Sequence, residues 1–228
     1  MITNQKIAIV GDTAGIGLAL ARMAADAGAE VRLGGSTRNK LGQALRQLNG
    51  KAKGELVDAR DEDSIRQFFV QAGELDHVVS AIGPPFRAVR AIDGQRADYE
   101  ELFAVNYWGQ FFIAKHAARQ LVPNGSITLT SGVRHRPAEG FSVLASVNAG
   151  VEALARTSAL EFAPRRVNVV CPGLLTRESF TPICRRKPAP RSYSPIKLTL
   201  FRTACPRLRP SPLTQTCWRS SRVDQLDL

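Results

Sequence analysis

The stretch IAIVGDTAGIGLALA, residues 7–21, decides the fold. The apolar run from Ile7 to Val10 is too short for a helix and reads as a strand buried on both faces. A glycine turn follows, and LALA then opens a run with helical spacing. Glycines at such a turn let the backbone bend tightly and approach a pyrophosphate, while the helix N-terminus offers free N–H groups and the positive end of its dipole. The spacing is GxxxGxG rather than the more common GxGxxG. A strand before it and a helix after it are the context that turns glycines into a dinucleotide site. Gly11, Thr13, Ala14, Gly15, Ile16 and Gly17 are the candidate cofactor-binding residues of this turn.

Outward from the turn, strand-like and helix-like runs alternate. KIAIV, EVRLGG, GELV, HVVSA, GSITLTS and RVNVVC are strand candidates. Between most of them lie amphipathic stretches such as KLGQALRQLNG, DSIRQFFVQAG, DYEELFAVNYWGQFFIAKHAARQL and VEALARTSALEF. Gly28 and Asn49–Gly50 read as helix stops, and Asp61 to Ser64 as a helix start. The alternation predicts an α/β protein: a Rossmann-like doubly wound parallel sheet of six or so strands with helices on both faces.

Composition narrows the class. The 228 residues are 44% hydrophobic and 22% charged, as in an ordinary globular domain with a sizeable core. No apolar run approaches membrane-spanning length, and the N-terminus shows no secretory signal. The cysteines 171, 184, 205 and 217 lack metal-ligand spacing and no disulfide framework is evident, so reduced thiols in the cytoplasm and no bound metal are expected. The net charge of +11 invites a nucleic-acid reading, but ten Lys/Arg against three Asp/Glu lie in residues 178–228. The excess is a basic tail rather than a basic groove, which argues against nucleic acid as a partner. A small-molecule substrate is expected instead, and no membrane.

Further motifs arrive in a fixed order. Asp58 and Ala59 follow the third strand candidate, and Ala81, Ile82 and Gly83 close HVVSAIG. Asn106 stands in FAVNYWGQFF, Ser131 ends GSITLTS, and Pro172–Gly173 follow RVNVVC. In this order and with the glycine spacing, residues 5–177 resemble the short-chain dehydrogenase/reductase family. The resemblance implies an oxidoreductase with a nicotinamide cofactor. Asp58 would meet the adenine ring, Ala81–Gly83 and Pro172–Gly173 would line the cofactor, and Ser131 and Asn106 would be catalytic. It also implies pairing through VNYWGQFF and GVEALART into a homodimer or homotetramer. By itself, Cys171 reads as a small buried filler.

The cofactor form is read from the second strand. An acid at its end would bond the ribose hydroxyls of NAD and repel a 2′-phosphate. Gly35 stands there, followed by Ser36, Thr37 and Arg38, all able to bond phosphate. NADP is therefore expected over NAD, although the basic residue that many NADP members carry before the second glycine is Ala14 here.

One part of the pattern is replaced. The family's tyrosine and lysine correspond to Leu144 and Asn148, fixed by counting forward from Ser131 and backward from NAGVEAL. Leucine transfers no proton, and Asn148 can bond a ribose but carries no charge. Three readings follow: catalysis is lost with the cofactor site kept; another donor such as His135 is recruited; or water or the substrate serves, held by Ser131 and Asn106.

The domain reading is an NADP(H)-binding unit over 1–177 and a basic Pro/Arg-rich, poorly ordered tail over 178–228. The tail holds seven of the thirteen prolines and shows no amphipathic helix. From Cys184 to Phe201, the neighbouring reading frame permits a continuous amphipathic helix, so residues from about 180 onward read either as a frameshift product or as a genuine basic, Pro-rich extension that is disordered or binds a partner. A lid and a closing strand are then missing, which leaves the sheet edge unprotected.

Overall fold

The computed structural model describes residues 2–11, 13, 15–84, 86–132 and 138–172, and the backbone of 199–202. Its elements run β1 (Lys6–Val10), α1 (Gly15–Asp26), β2 (Glu30–Gly35), α2 (Arg38–Gln47), β3 (Ala52–Leu56), α3 (Glu62–Ala72) and β4 (Leu75–Ser80). A 3-10 turn (Arg96–Asp98) leads into a composite helix: α4 (Glu100–Leu102), a π-helical segment (Phe103–Gly109) and α5 (Gln110–Gln120). Then come β5 (Leu121–Thr130), α6 (Ser142–Glu161), β6 (Arg166–Cys171) and β7 (Thr199–Arg202).

The strands form one sheet in the order β3-β2-β1-β4-β5-β6-β7. Every pairing from β3 to β6 is parallel. This is the doubly wound arrangement expected from the alternation. The chain winds outward from β1 to β3, then returns to the other side of β1 with β4, and ligands in such sheets lie at the carboxyl ends of the strands beside that switch. At the far edge, β7 pairs antiparallel with β6, Asn168 opposite Arg202 and Cys171 opposite Thr199. The sequence reading left that edge bare; four residues of the tail region cover it.

The core divides by strand parity. Ile7 and Ile9 of β1 join Val31, Leu33, Ala21, Ala24, Leu41 and Ala44 under α1 and α2. Ala8 and Val10, pointing the other way, join Ile65, Phe68, Ile113, Ile127 and Val151 under α3, α5 and α6. Successive strand residues face opposite sides, so a strand with helices on both faces is apolar throughout. Each large core side chain withdrawn from water contributes about 1.5–3 kcal/mol.

Helix ends follow the local chemistry. Asp61 caps α3 by accepting Asp63 N–H at 2.9 Å, and Thr37 caps α2 by accepting Lys40 N–H at 3.4 Å. Asn49 and Gly50 follow α2 with φ of 50° and 75°, and Gly28 follows α1 at 85°. α3 is pinned to α5 by Glu62 Oε1, which accepts from Lys115 Nζ at 2.6 Å and His116 Nε2 at 2.9 Å. The Lys115 bond, then the His116 bond, hold the Glu62 carboxyl below its ordinary range.

Candidate active site

The motifs picked from the sequence that fall among the described residues sit toward the carboxyl edge of the sheet. Gly11 follows β1 with φ +92° and donates to Gly34 O at 2.8 Å. A Cβ on Gly11 would lie 2.7 Å from the backbone N and Cα of Ile82, the residue after Ala81 on the neighbouring β4 loop. Ala81 N–H donates to Val10 O at 2.8 Å, which fixes that approach. Only glycine fits at position 11, and α1 starts at Gly15 with its free N–H groups at the carboxyl edge of the sheet. Thr13 packs its methyl against Gly35. Gly17 is buried under the first turn of α1, whereas Ile16 is exposed. Ala14 lies outside the described residues.

At the end of β2, Ser36, Thr37 and Arg38 are all exposed. Thr37 spends its hydroxyl as the α2 cap, and Arg38 is the first residue of that helix. Asp58 follows β3. Its carboxylate accepts from Arg60 Nε at 2.9 Å, Arg60 Nη2 at 2.8 Å and Arg60 N at 3.0 Å. The Arg60 side-chain bond holds the Asp58 carboxyl below the usual carboxylate range, with burial opposing it. Asp58 thus closes its own turn while staying half-exposed, and Ala59 beside it is half-buried.

The composite helix crosses above this edge. Gly109 lets it approach: a Cβ there would lie 2.8 Å from Ala59 O and 2.9 Å from Ile82 Cδ1. Asn106 falls in the π-helical segment, half-buried, with its Oδ1 3.8 Å from the position of a Cβ on Gly83. One extra residue per turn re-aims side chains locally, and such segments concentrate at functional sites. One turn on, Gln110 is fully buried and its Nε2 donates to Thr130 O. Thr130 Oγ1 donates to Ser80 O at 2.6 Å, tying α5, β5 and β4 together under Asn106.

Ser131 extends β5 by one residue, its N–H donating to Val170 O at 2.8 Å. It is 9% exposed, and its Oγ donates to Asn148 O at 3.1 Å and to Glu152 Oε1 at 3.4 Å. Cys171 Sγ lies 3.6 Å from the same Glu152 oxygen. Pro172 follows Cys171 and is half-buried. Asn148 is only 4% exposed, and its Nδ2 lies 2.7 Å from where a Cβ on Gly132 would stand. The Asn148 amide, at the position where the sequence led us to expect the family's lysine, therefore lies close against Gly132. Leu144, one turn earlier, is half-buried. His135 and Gly173 lie outside the described residues.

Glu152 was missed by the sequence reading, which took VEALARTSALEF only as a helix. The signal is present: an acid four residues after Asn148 on a face otherwise built of Val147, Val151 and Ala155. The loops above the edge are also joined. Val89 N–H donates to Gly140 O at 3.2 Å, and the Phe86 and Phe141 rings pack with centroids 5.2 Å apart.

A glycine turn at the switch point, an asparagine on the π-helical segment and a serine at the end of β5 define a Rossmann-like dinucleotide-binding oxidoreductase scaffold. The chain belongs to the short-chain dehydrogenase/reductase family. The family model described as enoyl-(acyl carrier protein) reductase matches residues 10–193. The short-chain dehydrogenase/reductase ucsE of an Acremonium species is 34% identical over 203 residues, covering 80% of this chain and 76% of that protein. Trihydroxynaphthalene reductase of Colletotrichum orbiculare is 28% identical over 195 residues, covering 79% and 68%. A solved structure titled a short chain dehydrogenase/reductase family protein superposes with a TM-score of 0.69 at 31% identity, covering 74% of each chain. The family is one of oxidoreductases that use nicotinamide dinucleotides and small-molecule substrates. No helix among the described residues is long and apolar enough to cross a membrane.

Proposed function

We propose that the chain is an NADP-dependent oxidoreductase acting on a small carbonyl or alcohol, with a proton path that differs from the family's tyrosine and lysine. The observation that carries this is the fit of the glycine turn. Gly11 lies against Ile82 too closely for any Cβ, which leaves a bare backbone cradle at the N-terminus of α1. Gly11, Thr13, Ala14, Gly15, Ile16 and Gly17 would hold the pyrophosphate. Ser36, Thr37 and Arg38 would meet a 2′-phosphate, for which the absence of an acid at Gly35 speaks. Asp58 and Ala59 would border the adenine, and Ala81, Ile82, Gly83, Asn148, Pro172 and Gly173 the rest of the cofactor. When bound, the nicotinamide gives or takes the hydride. Ser131 would hold the substrate oxygen, and Asn106 would order a neighbouring water.

Candidate substrates are cyclic and aromatic carbonyls, following the relative named trihydroxynaphthalene reductase. We also propose pairing through the exposed Phe103 and Trp108 of the composite helix and Leu160 of α6. The cytoplasm fits the reduced thiol of Cys171.

NADPH and NADH consumption against such a panel, beside binding titrations with each cofactor, tests the reading. Turnover with NADPH, and a preference over NADH that shrinks about tenfold in Arg38→Ala, is the expected result. Equal or tighter NADH binding overturns the cofactor assignment. Tight NADPH binding without turnover on any substrate makes the chain a non-catalytic dinucleotide-binding protein, the reading that Leu144 and Asn148 favour. Abolished turnover in His135→Ala would make that histidine the donor.

A further inference from the structure

We infer that Ser131 and Glu152 form the proton path of this site, an inference that rests on the oxidoreductase reading. Ser131 meets the substrate oxygen, and Glu152, which acts through it, is a positioning residue and proton store.

Leu144, Asn148 and Glu152 are spaced by four, so they share one stripe of α6. The two upper positions have lost their ionisable side chains. The third keeps one, at 2% exposure. The groups that the described residues bring to its carboxyl are the Ser131 hydroxyl at the end of β5 and the Cys171 thiol at the end of β6. Ser131 Oγ has one proton, and its two acceptors among the described residues, Asn148 O and Glu152 Oε1, lie on α6. The hydroxyl therefore turns its proton inward, and its lone pairs are left for the carboxyl edge. In that state it accepts from an alcohol O–H.

The chain of bonds runs either way. In oxidation, the substrate O–H bond breaks as its proton passes to Ser131 Oγ. The Ser131 O–H bond breaks as that proton passes to the Glu152 carboxylate, and a bound oxidised nicotinamide would take the hydride, with its two electrons, from the carbon. The substrate becomes a carbonyl, and Glu152 later returns its proton to solvent. In reduction each transfer reverses: Glu152 starts protonated, Ser131 donates to the carbonyl oxygen, and the reduced nicotinamide is oxidised. Between turnovers the Ser131 hydroxyl donates to the backbone carbonyl of Asn148. A carboxyl one hydrogen bond behind a hydroxyl does here what a tyrosine beside a lysine does in the family.

Glu152→Gln keeps the shape and hydrogen-bonding reach but carries no transferable acid proton. It should lower kcat about 10²–10⁴-fold with KM, NADPH affinity and melting temperature nearly unchanged, and Glu152→Asp should recover part of the loss. A second readout needs no turnover. The carboxyl infrared band that disappears in Glu152→Gln should shift in Ser131→Ala, because the hydroxyl it bonds is gone.

Full kcat in Glu152→Gln overturns the inference. So does a matching fall in melting temperature and NADPH affinity that Asp does not relieve, since that marks a purely structural role. If the wild type is inert on every substrate, the oxidoreductase reading fails on its own. The infrared arm then decides: a shifted band supports the Ser131–Glu152 pair, and an unmoved band overturns it.

Discussion

Gly35→Ala tests the packing that joins cofactor selectivity to the glycine turn. A Cβ on Gly35 would lie 2.6 Å from Thr13 Cγ2 and 3.2 Å from Leu41 Cβ and Cδ1. Carbon atoms in contact settle at about 3.5–4.0 Å, so the Thr13 methyl must move by about 1 Å. Gly35 is not among the residues with positive φ, so its backbone accepts alanine without strain. Overpacking of this kind costs about 1–3 kcal/mol, and the stiffer unfolded chain offsets about 0.4–1 kcal/mol of that. The net loss is about 1–2 kcal/mol, which in a domain of this size lowers the melting temperature by about 2–8 °C. Thr13→Ser removes the obstructing methyl, so the double variant should regain most of the loss, with a coupling of about 1 kcal/mol. Urea denaturation of the wild type, both single variants and the double variant measures the cycle, and NADPH titration of the same proteins should show affinity falling in Gly35→Ala and recovering in the double. Gly35→Ala as stable as wild type, or no rescue by Thr13→Ser, would refute the packing of Thr13 on Gly35. The consequence for selectivity is that an acid at position 35 cannot simply be exchanged in; it needs Thr13 shortened first.

Gly11→Ala should abolish NADPH binding and lower stability more than Gly35→Ala, because φ is +92° and the Ile82 backbone lies 2.7 Å from the new Cβ; undiminished affinity in a nicotinamide fluorescence titration would contradict the cradle. His77 bonds Ser126 Oγ at 2.8 Å and Gln5 Oε1 at 3.1 Å, and burial lowers its pKa below the ordinary 6.5 despite the pull of Asp76. A depressed folded pKa means stability that is present above about pH 6.5 and lost as pH falls through the folded value, so urea midpoints of the wild type from about pH 7.5 to about pH 5 should drop more than those of His77→Asn; parallel curves would refute it.

Much of the fold could be read because its strands are buried on both faces and its helices on one. Those are different periodicities, and residues 5–172 keep them apart. The glycine turn could be read because a strand-to-helix turn at a switch point leaves no room for side chains, as Gly11 against Ile82 shows. The π-helical segment could not. Phe103–Gly109 has the apolar spacing of an ordinary helix, and the extra residue that re-aims Asn106 is set by the approach of Gly109 to Ala59 and Ile82, a tertiary contact. β7 was hidden for a related reason: a strand that only covers an edge needs few residues and little pattern, and its surroundings are rich in proline and arginine. Asp58 was found, but Arg60 was not foreseen as its partner, since a bond between residues two apart in a turn leaves no periodic trace.

Leu144 and Asn148 argue differently once Glu152 stands beside them. Taken alone, they remove a proton donor and the charge that tunes it, and the sequence then offers a dead site or a donor from elsewhere. In the fold they are the outer two of three positions on one helical stripe, and the innermost still carries an acid within reach of the Ser131 hydroxyl. Asn148 adds to this. Its side chain packs against Gly132, and its backbone carbonyl accepts from the Ser131 hydroxyl at 3.1 Å, which helps to orient the serine. Ser131 is short and only 9% exposed, so on the proposed proton path the substrate oxygen would have to come down to the end of β5. On that path Leu144, which is half-buried, would offer an apolar side chain where a phenol would compete for the same oxygen. Substrates with a flat, unhindered carbonyl or carbinol should therefore be turned over in preference to those with branching beside it. A panel that shows the opposite order would break the link between Leu144 and Ser131.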